Sequence, residues 1–137
     1  MLRLYDILYA NLSNIEHCQA REEVLIAMCL ALKPLGQLYL SFPTESSVRF
    51  PSRTGTLNYF DDDSHKQAPP IIDDVIRVLR EQGMNITFFR RQYRPLLPFV
   101  IGIVLEPFSF LFKKVAPLGS TWALYGFETV IWAEKVS

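Results

Sequence analysis

Between Leu57 and Lys66 the chain reads LNYFDDDSHK, which brings Tyr59, Asp61, Asp62, Asp63 and His65 close together. Histidine titrates near neutral pH, so His65 suits the removal of a proton from a hydroxyl group. Tyr59, Asp61 and Asp62 are suited to orient such a base or to bind acceptor hydroxyls. The same residue types are metal donors, but adjacent aspartates point in different directions and lack the alternating spacing of a calcium loop. The plain alternative is a solvated acidic turn ahead of the apolar run at Ile71.

Two basic clusters carry a second kind of chemistry. SSVRFPSR supplies Arg49 and Arg53, and FFRRQYR supplies Arg90, Arg91 and Arg94. Guanidinium forks suit phosphate or carboxylate groups, and Arg49 is the candidate substrate contact. The second cluster flanks a strand-like run and reads as a solvated surface.

The totals bound what these residues can belong to. The chain has 137 residues, half of them hydrophobic, enough for one compact domain with a buried core. Lys+Arg and Asp+Glu both total 14, so no global basic field recruits nucleic acid. Cys18 and Cys29 read as free thiols of a reducing, cytoplasmic setting and cannot alone form a structural zinc site. The first ten residues alternate charged and apolar types, unlike a secretory signal.

The elements that must position these groups follow from periodicity. Tyr5 to Leu12 reads as a buried strand. Arg21 to Pro34 predicts a well-buried helix, with Glu22 and Glu23 in its first turn, Lys33 in its last, Pro34 stopping it and Gly36 turning the chain. Gln37 to Phe42 predicts a strand closed by Pro43. Thr44 to Pro70 is a long irregular segment of the kind that carries function. Ile71 to Gly83 predicts an amphipathic helix with Ile71, Ile72, Val75, Ile76, Val78 and Leu79 on its apolar stripe. Met84 to Tyr93 predicts a third strand, and Thr121 to Val136 a last strand or pair of strands. Such alternation argues for an α/β layer, mostly parallel, with an antiparallel pair at its C-terminal edge.

In that order, YDILYANLSNIEH, ALKPLGQLYLSFP and the helix ending in LREQGMNITF resemble the C-terminal half of a class I S-adenosylmethionine-dependent methyltransferase. Asp6 matches the aspartate that opens the family's fourth strand, and Ile15-Glu16-His17 its Leu-Glu-His-like triplet. Leu32-Lys33-Pro34-Leu35-Gly36 matches its turn into the fifth strand, with leucine for the first glycine. Asp62, Asp63 and His65 are similar to the Asp-x-x-His-like segment of members that methylate sugars, lipids and small metabolites. GFETVIWAEK resembles the closing strand.

The resemblance implies a Rossmann-like sheet and S-adenosylmethionine as cofactor. It places Ala10, Asn11 and Leu12 near the cofactor's methionine end, with Glu16 and His17 lining the same crevice at the carboxyl ends of the strands. The alternative is that Glu16 and His17 face solvent. His65, Asp62 and Tyr59 become catalytic candidates, and Arg49 and Asp61 acceptor-side ones. The implied activity is methyl transfer to a small molecule, such as a sugar or lipid-linked glycan. No glycine-rich cofactor loop is present, and the chain opens at what would be the fourth strand. The expectation is therefore residues 1–137 as a C-terminal half, a fragment or truncated relative, with an apolar insert at about 95–118. The rival expectation is an inert α/β interaction module, completed by a partner chain or by self-association through the exposed first strand.

The insert itself, LLPFVIGIVLEPFSFLF from Leu96 to Phe112, precedes Lys113 and Lys114. Three readings compete: a lid or buried packing over the acceptor crevice, an interfacial helix making peripheral membrane contact, and a membrane span. Its length and its interruption by Pro98, Glu106 and Pro107 argue against a span.

Overall fold

A computed structural model describes residues 5–10 and 19–137. The described elements are β1 (Tyr5–Ala10), α1 (Arg21–Ala31), β2 (Leu32–Pro43), α2 (Ile72–Glu81), β3 (Met84–Tyr93), α3 (Leu96–Phe112), α4 (Ser120–Tyr125) and β4 (Glu128–Lys135). Short 3-10 turns at Glu45–Arg49 and Tyr59–Asp61 interrupt the connection between β2 and α2. Among the described residues the strands form one sheet in the order β1-β2-β4-β3. β1 and β2 pair in parallel, and β4 runs antiparallel to both β2 and β3. Three strands therefore share one direction, and the expected antiparallel pair at the C-terminal edge is β3 with β4. The last strand in sequence is inserted between β2 and β3, and β3 forms the edge.

The core lies on one face of this sheet. Leu38, Leu40 and Phe42 alternate along β2 and are fully buried, joined by Ile131 and Ala133 of β4. Against them pack Leu25 and Cys29 of α1 and Ile72, Val75, Ile76, Val78 and Leu79 of α2. Cys29 is free, and burial pushes its thiol up to about 11, so it acts as a small hydrophobe. Cys18 lies outside the described residues.

Several boundaries differ from the sequence reading for local reasons. α1 ends at Ala31, and the chain enters β2 at Leu32, two residues before Pro34. The turn expected at Gly36 is made by Leu35, which sits in the left-handed region at φ 62° and accompanies a bulge in the β1–β2 register. Lys33 therefore cannot neutralise the end of α1, and it pairs with Asp6 at 3.0 Å. Lys135 takes that role, donating to the carbonyls of Cys29 and Leu32 at 2.9 Å each. α1 is also less buried than its composition suggested, since Leu30 faces solvent. Ile71 precedes α2 and is exposed rather than on its stripe.

The segment Thr121–Val136 is not all strand. Ser120–Tyr125 is a short helix that ends at Gly126, whose φ of 67° favours glycine, and only Glu128–Lys135 joins the sheet. Aromatic and β-branched residues dominate both parts, so composition could not separate them.

β3 ends and β4 begins at the same end of the sheet, where β2 also ends. The residue 44–70 connection, α3 and α4 thus all gather at the carboxyl ends of β2 and β3. α3 packs on α4 at Gly102, where an added Cβ would fall on the carbonyl oxygen of Ser120 and lie 2.9 Å from Leu124 Cβ. Gly102→Ala should therefore destabilise the protein by about 1–3 kcal/mol, the usual cost of overpacking. Urea denaturation of the variant checks this, and an unchanged midpoint would contradict the close approach.

Candidate functional site at the carboxyl ends of the strands

The residue 44–70 connection is built around two short polar side chains. Asn58 donates to the carbonyls of Val48 and Phe50 at 2.9 and 2.7 Å and accepts from the Phe60 amide at 2.9 Å. Asp61 accepts from the amides of Arg53, Leu57 and Asn58 at 3.0, 3.1 and 2.9 Å, and from the Ser52 hydroxyl. Asn58 and Asp61 together form a capping box. Burial alone would raise the Asp61 carboxyl, but the Ser52 hydroxyl and the three amides overcome it and hold the group below the ordinary carboxylate range. Asp61 is thus the organiser of the loop. Both oxygens of Asp61, the expected acceptor-side residue, are engaged by the loop itself.

His65 lies inside the same loop, 8% exposed. Its ring stacks on Tyr59 with centroids 4.1 Å apart and planes 6° apart. His65 Nδ1 sits 2.6 Å from the Tyr59 carbonyl, which can only accept, so Nδ1 carries a proton. Nε2 is then the basic nitrogen of the neutral ring, and it lies 3.9 Å from Asp62 Oδ2. The other oxygen of Asp62 accepts from the Ser64 amide and hydroxyl at 2.8 and 2.5 Å. The Tyr59 carbonyl thus fixes the orientation of the imidazole, and Nε2 is the nitrogen turned toward Asp62. Tyr59 is fully buried, and its ring packs against the imidazole. Asp63 is exposed. Among the described residues no three His, Cys, Asp or Glu side chains are gathered to hold a metal ion.

The two basic clusters are brought together in part. Arg49, Arg91, Glu45, Gln92, Thr44 and Ser46 line an open cleft of about 380 Å³ beside the start of α2. Arg91 bonds Asp73 at 2.7 Å and faces Glu45 at 3.6 Å, while Glu45 also accepts from the Ile72 amide at 3.0 Å and caps α2. Arg49 is exposed in this cleft and makes no hydrogen bond or ion pair with another described residue.

Arg53 has a different fate. Its guanidinium, 3% exposed, grips Glu106 of α3 through two bonds of 2.7 and 3.0 Å and reaches Ser109 Oγ at 2.9 Å and Tyr125 Oη at 3.1 Å. The Tyr125 hydroxyl donates to Glu106 at 2.8 Å. The bonds from Arg53, together with Tyr125, hold the Glu106 carboxyl below its ordinary range against the opposing effect of burial. Sequence alone treated Glu106 as an interruption of an apolar run, because nothing local reveals a partner 53 residues away.

A second missed residue is Glu128, at the head of β4. Burial raises its carboxyl above the ordinary range, partly offset by a hydrogen bond from Ser41. With Tyr93, Pro95, Pro98 and Trp122 it lines a cleft of about 170 Å³. Strand alternation makes it a surface glutamate on sequence grounds, and only the tertiary fold covers it.

Of the residues expected to hold a cofactor, Ala10 is the last residue of β1, opposite Leu40 in the parallel ladder. Its backbone is therefore at the carboxyl end of the sheet, the side used by ligands of open α/β sheets. Asn11, Leu12, Glu16 and His17 lie outside the described residues.

No family model matches the chain, and no curated protein matches it. Solved structures do. A S-adenosylmethionine dependent methyltransferase from Mesorhizobium loti superposes with a TM-score of 0.62 at 13% identity, over 96% of this chain and 62% of that one. The fold is that of the class I methyltransferases. An S-adenosylmethionine-dependent methyltransferase from Clostridium acetobutylicum gives 0.56 at 11% identity, over 100% of this chain and 61% of that one. A Haemonchus contortus phosphoethanolamine N-methyltransferase gives 0.55 at 10% identity, over 97% and 34%. The chain thus spans about three fifths of the length of the first two and a third of the last.

Two expectations follow. Arg53→Ala should cost about 3 kcal/mol, the low end for breaking a buried pair, because Glu106 keeps some exposure to water. Hydrogen exchange should then quicken in α3 before the sheet, and uniform exchange would contradict the clamp. Depressed carboxylates stabilise the fold above their unfolded values, ordinarily 3.8 for Asp61 and 4.5 for Glu106, and that stability is lost as pH falls through their lower folded values. The melting temperature of the wild type should drop between about pH 5 and about pH 3, and Asp61→Asn should flatten part of this limb while lowering stability at neutral pH.

Proposed function

We propose that the chain forms the acceptor-side part of an S-adenosylmethionine-dependent methyltransferase acting on a small molecule that bears a hydroxyl and an anionic group. The observation that carries this reading is the oriented imidazole of His65, set in the same loop as the Arg49 cleft at the carboxyl ends of the strands. The methyltransferase-like fold supports the reaction class.

When bound, S-adenosylmethionine supplies an activated methyl on a sulfonium. The resemblance assigns it to Ala10, Asn11, Leu12, Glu16 and His17, of which the Ala10 backbone lies at the end of β1. This chain's own contribution is positioning and proton removal. Arg49 binds the anionic part of the acceptor, His65 Nε2 takes the hydroxyl proton, and Asp62 faces the imidazolium that results. A sugar phosphate or lipid-linked glycan carries both groups. The Haemonchus enzyme was solved in complex with phosphomonomethylethanolamine, a small molecule that carries a phosphate.

The rival reading, an inert module completed by another chain, is favoured by one observation: β1 stands at one edge of the described sheet. Calorimetric titration of S-adenosylmethionine separates the two. Saturable binding supports the enzyme, and no heat from a folded sample supports the module. In protein that binds the cofactor, His65→Ala should lower radiolabelled methyl transfer to hydroxyl acceptors by about 10²- to 10⁴-fold, the usual weight of a general base, while leaving cofactor affinity within about twofold. An unchanged rate removes His65 from the chemistry.

A further inference from the structure

α3 is amphipathic in the wrong sense for water. Its polar or small residues Gly102, Glu106 and Ser109 turn inward, onto α4 and the Arg53 clamp. Its outer surface carries Leu97, Val104, Phe108 and Leu111, which are 71%, 65%, 60% and 71% exposed. At ~100° per residue these and Leu96, Val100 and Ile103 form one unbroken apolar arc covering roughly two fifths of the helix circumference. A patch of this kind on a soluble domain marks a contact surface.

The charges around the arc say what it contacts. Between Arg90 and Leu118 the cations are Arg90, Arg91, Arg94, Lys113 and Lys114. The only acidic residue in that stretch is Glu106, and its carboxylate is held by Arg53. Arg94 stands just before the helix, and Lys113 and Lys114 just after it, all exposed. A second copy of the chain is a poor cover. An antiparallel pair of α3 helices would set the two lysines of one copy beside Arg94 of the other, and a parallel pair would set lysines against lysines. Among the described residues no helix is long and apolar enough to cross a membrane. An apolar ridge with cations at both ends matches the acyl boundary and headgroups of an anionic bilayer.

We propose that α3 is a membrane-docking helix that lies in the plane of an anionic lipid surface. Its outer arc enters the headgroup–acyl boundary, and Arg94, Lys113 and Lys114 sit at the headgroups. The shallow apolar groove of about 220 Å³ between Leu105, Phe108, Phe112 and Val115, with Lys114 on its rim, gives an acyl chain a place against the helix. The inference stands on this surface alone and does not depend on the methyl-transfer reading.

Cosedimentation with large vesicles tests it, comparing phosphatidylcholine alone with phosphatidylcholine containing about one third phosphatidylglycerol. The wild type should pellet with the anionic vesicles and much less with the neutral ones. Lys113→Gln with Lys114→Gln should weaken that binding about thirtyfold, the effect of two charges near an anionic surface. Leu97→Asp with Val104→Asp should abolish it. Both sites are exposed, so circular dichroism melts of the variants should match the wild type. Three results would overturn the proposal: folded wild type that stays in the supernatant, vesicle binding that the aspartate variant retains, or a wild-type dimer in sedimentation velocity that the aspartate variant dissolves. The last would make a second copy the occupant.

Discussion

A guanidinium taken almost wholly out of water must be paired, because an isolated buried charge is among the costliest groups a protein can carry. Arg53 meets that requirement only by reaching out of the residue 44–70 connection to Glu106, in the middle of α3. The consequence for α3 is geometric. Glu106 must face inward, and with it come Gly102 and Ser109, four residues before and three after, on the same side of the helix. Once the polar side is fixed inward, the remaining arc is apolar and faces out. The exposure of Leu97, Val104, Phe108 and Leu111 thus follows from a salt bridge, together with a glycine that admits α4. Such pairs add less net stability than their short distances suggest, since both charges were desolvated. Their contribution here is to orientation.

The connection itself is ordered by a carboxylate of a different kind. Asp61 draws three backbone amides onto itself, and Asn58 anchors the turn to the carbonyls at Val48 and Phe50. A long segment without helix or strand would otherwise pay a large entropy on ordering. Converging amides on one charged acceptor replace the missing ladder, since bonds to an ionised group are the strong ones. The fixed backbone then sets the carbonyl of Tyr59 against His65 Nδ1. Preorganisation of the imidazole is therefore a property of Asp61, two shells away from it.

Much of this was legible in the sequence where the signal was local. α2 shows its apolar stripe in Val75, Ile76, Val78 and Leu79, and Gly83 follows it with a φ of 74°. β2 shows its alternation in Leu38, Leu40 and Phe42. The order of these runs carried the α/β class, and the loose match of LKPLG and the closing strand carried the fold. What escaped was non-local. Lys135 replaces Lys33 at the end of α1 because the strand that carries it is brought beside that helix end by the sheet. Trp122 reads as a strand residue, yet its indole donates to the Thr56 carbonyl at 2.8 Å from a short helix. The aspartate triplet stood out as a candidate, but its members look alike in sequence. Only the hydrogen bonds separate Asp61, which builds the loop, from Asp62, which faces the imidazole.

The reversed strand ties these features together. If β4 ran parallel to its neighbours, the chain leaving β3 would have to cross the whole sheet before entering it, and a covering helix would fill that crossing. An antiparallel β4 enters at the end where β3 leaves, so α3 and α4 are free of any duty to cover the core. They can remain at the carboxyl ends of the strands, beside the loop that holds His65 and the cleft that holds Arg49. An element released from the core can carry an outward apolar face without exposing the core itself. The outward apolar arc of α3 and the cleft at Arg49 are for that reason at the same end of the sheet. A surface that captured α3 would bring lipid-borne phosphates to the same end of the sheet as the one exposed arginine of the cleft that no described residue pairs.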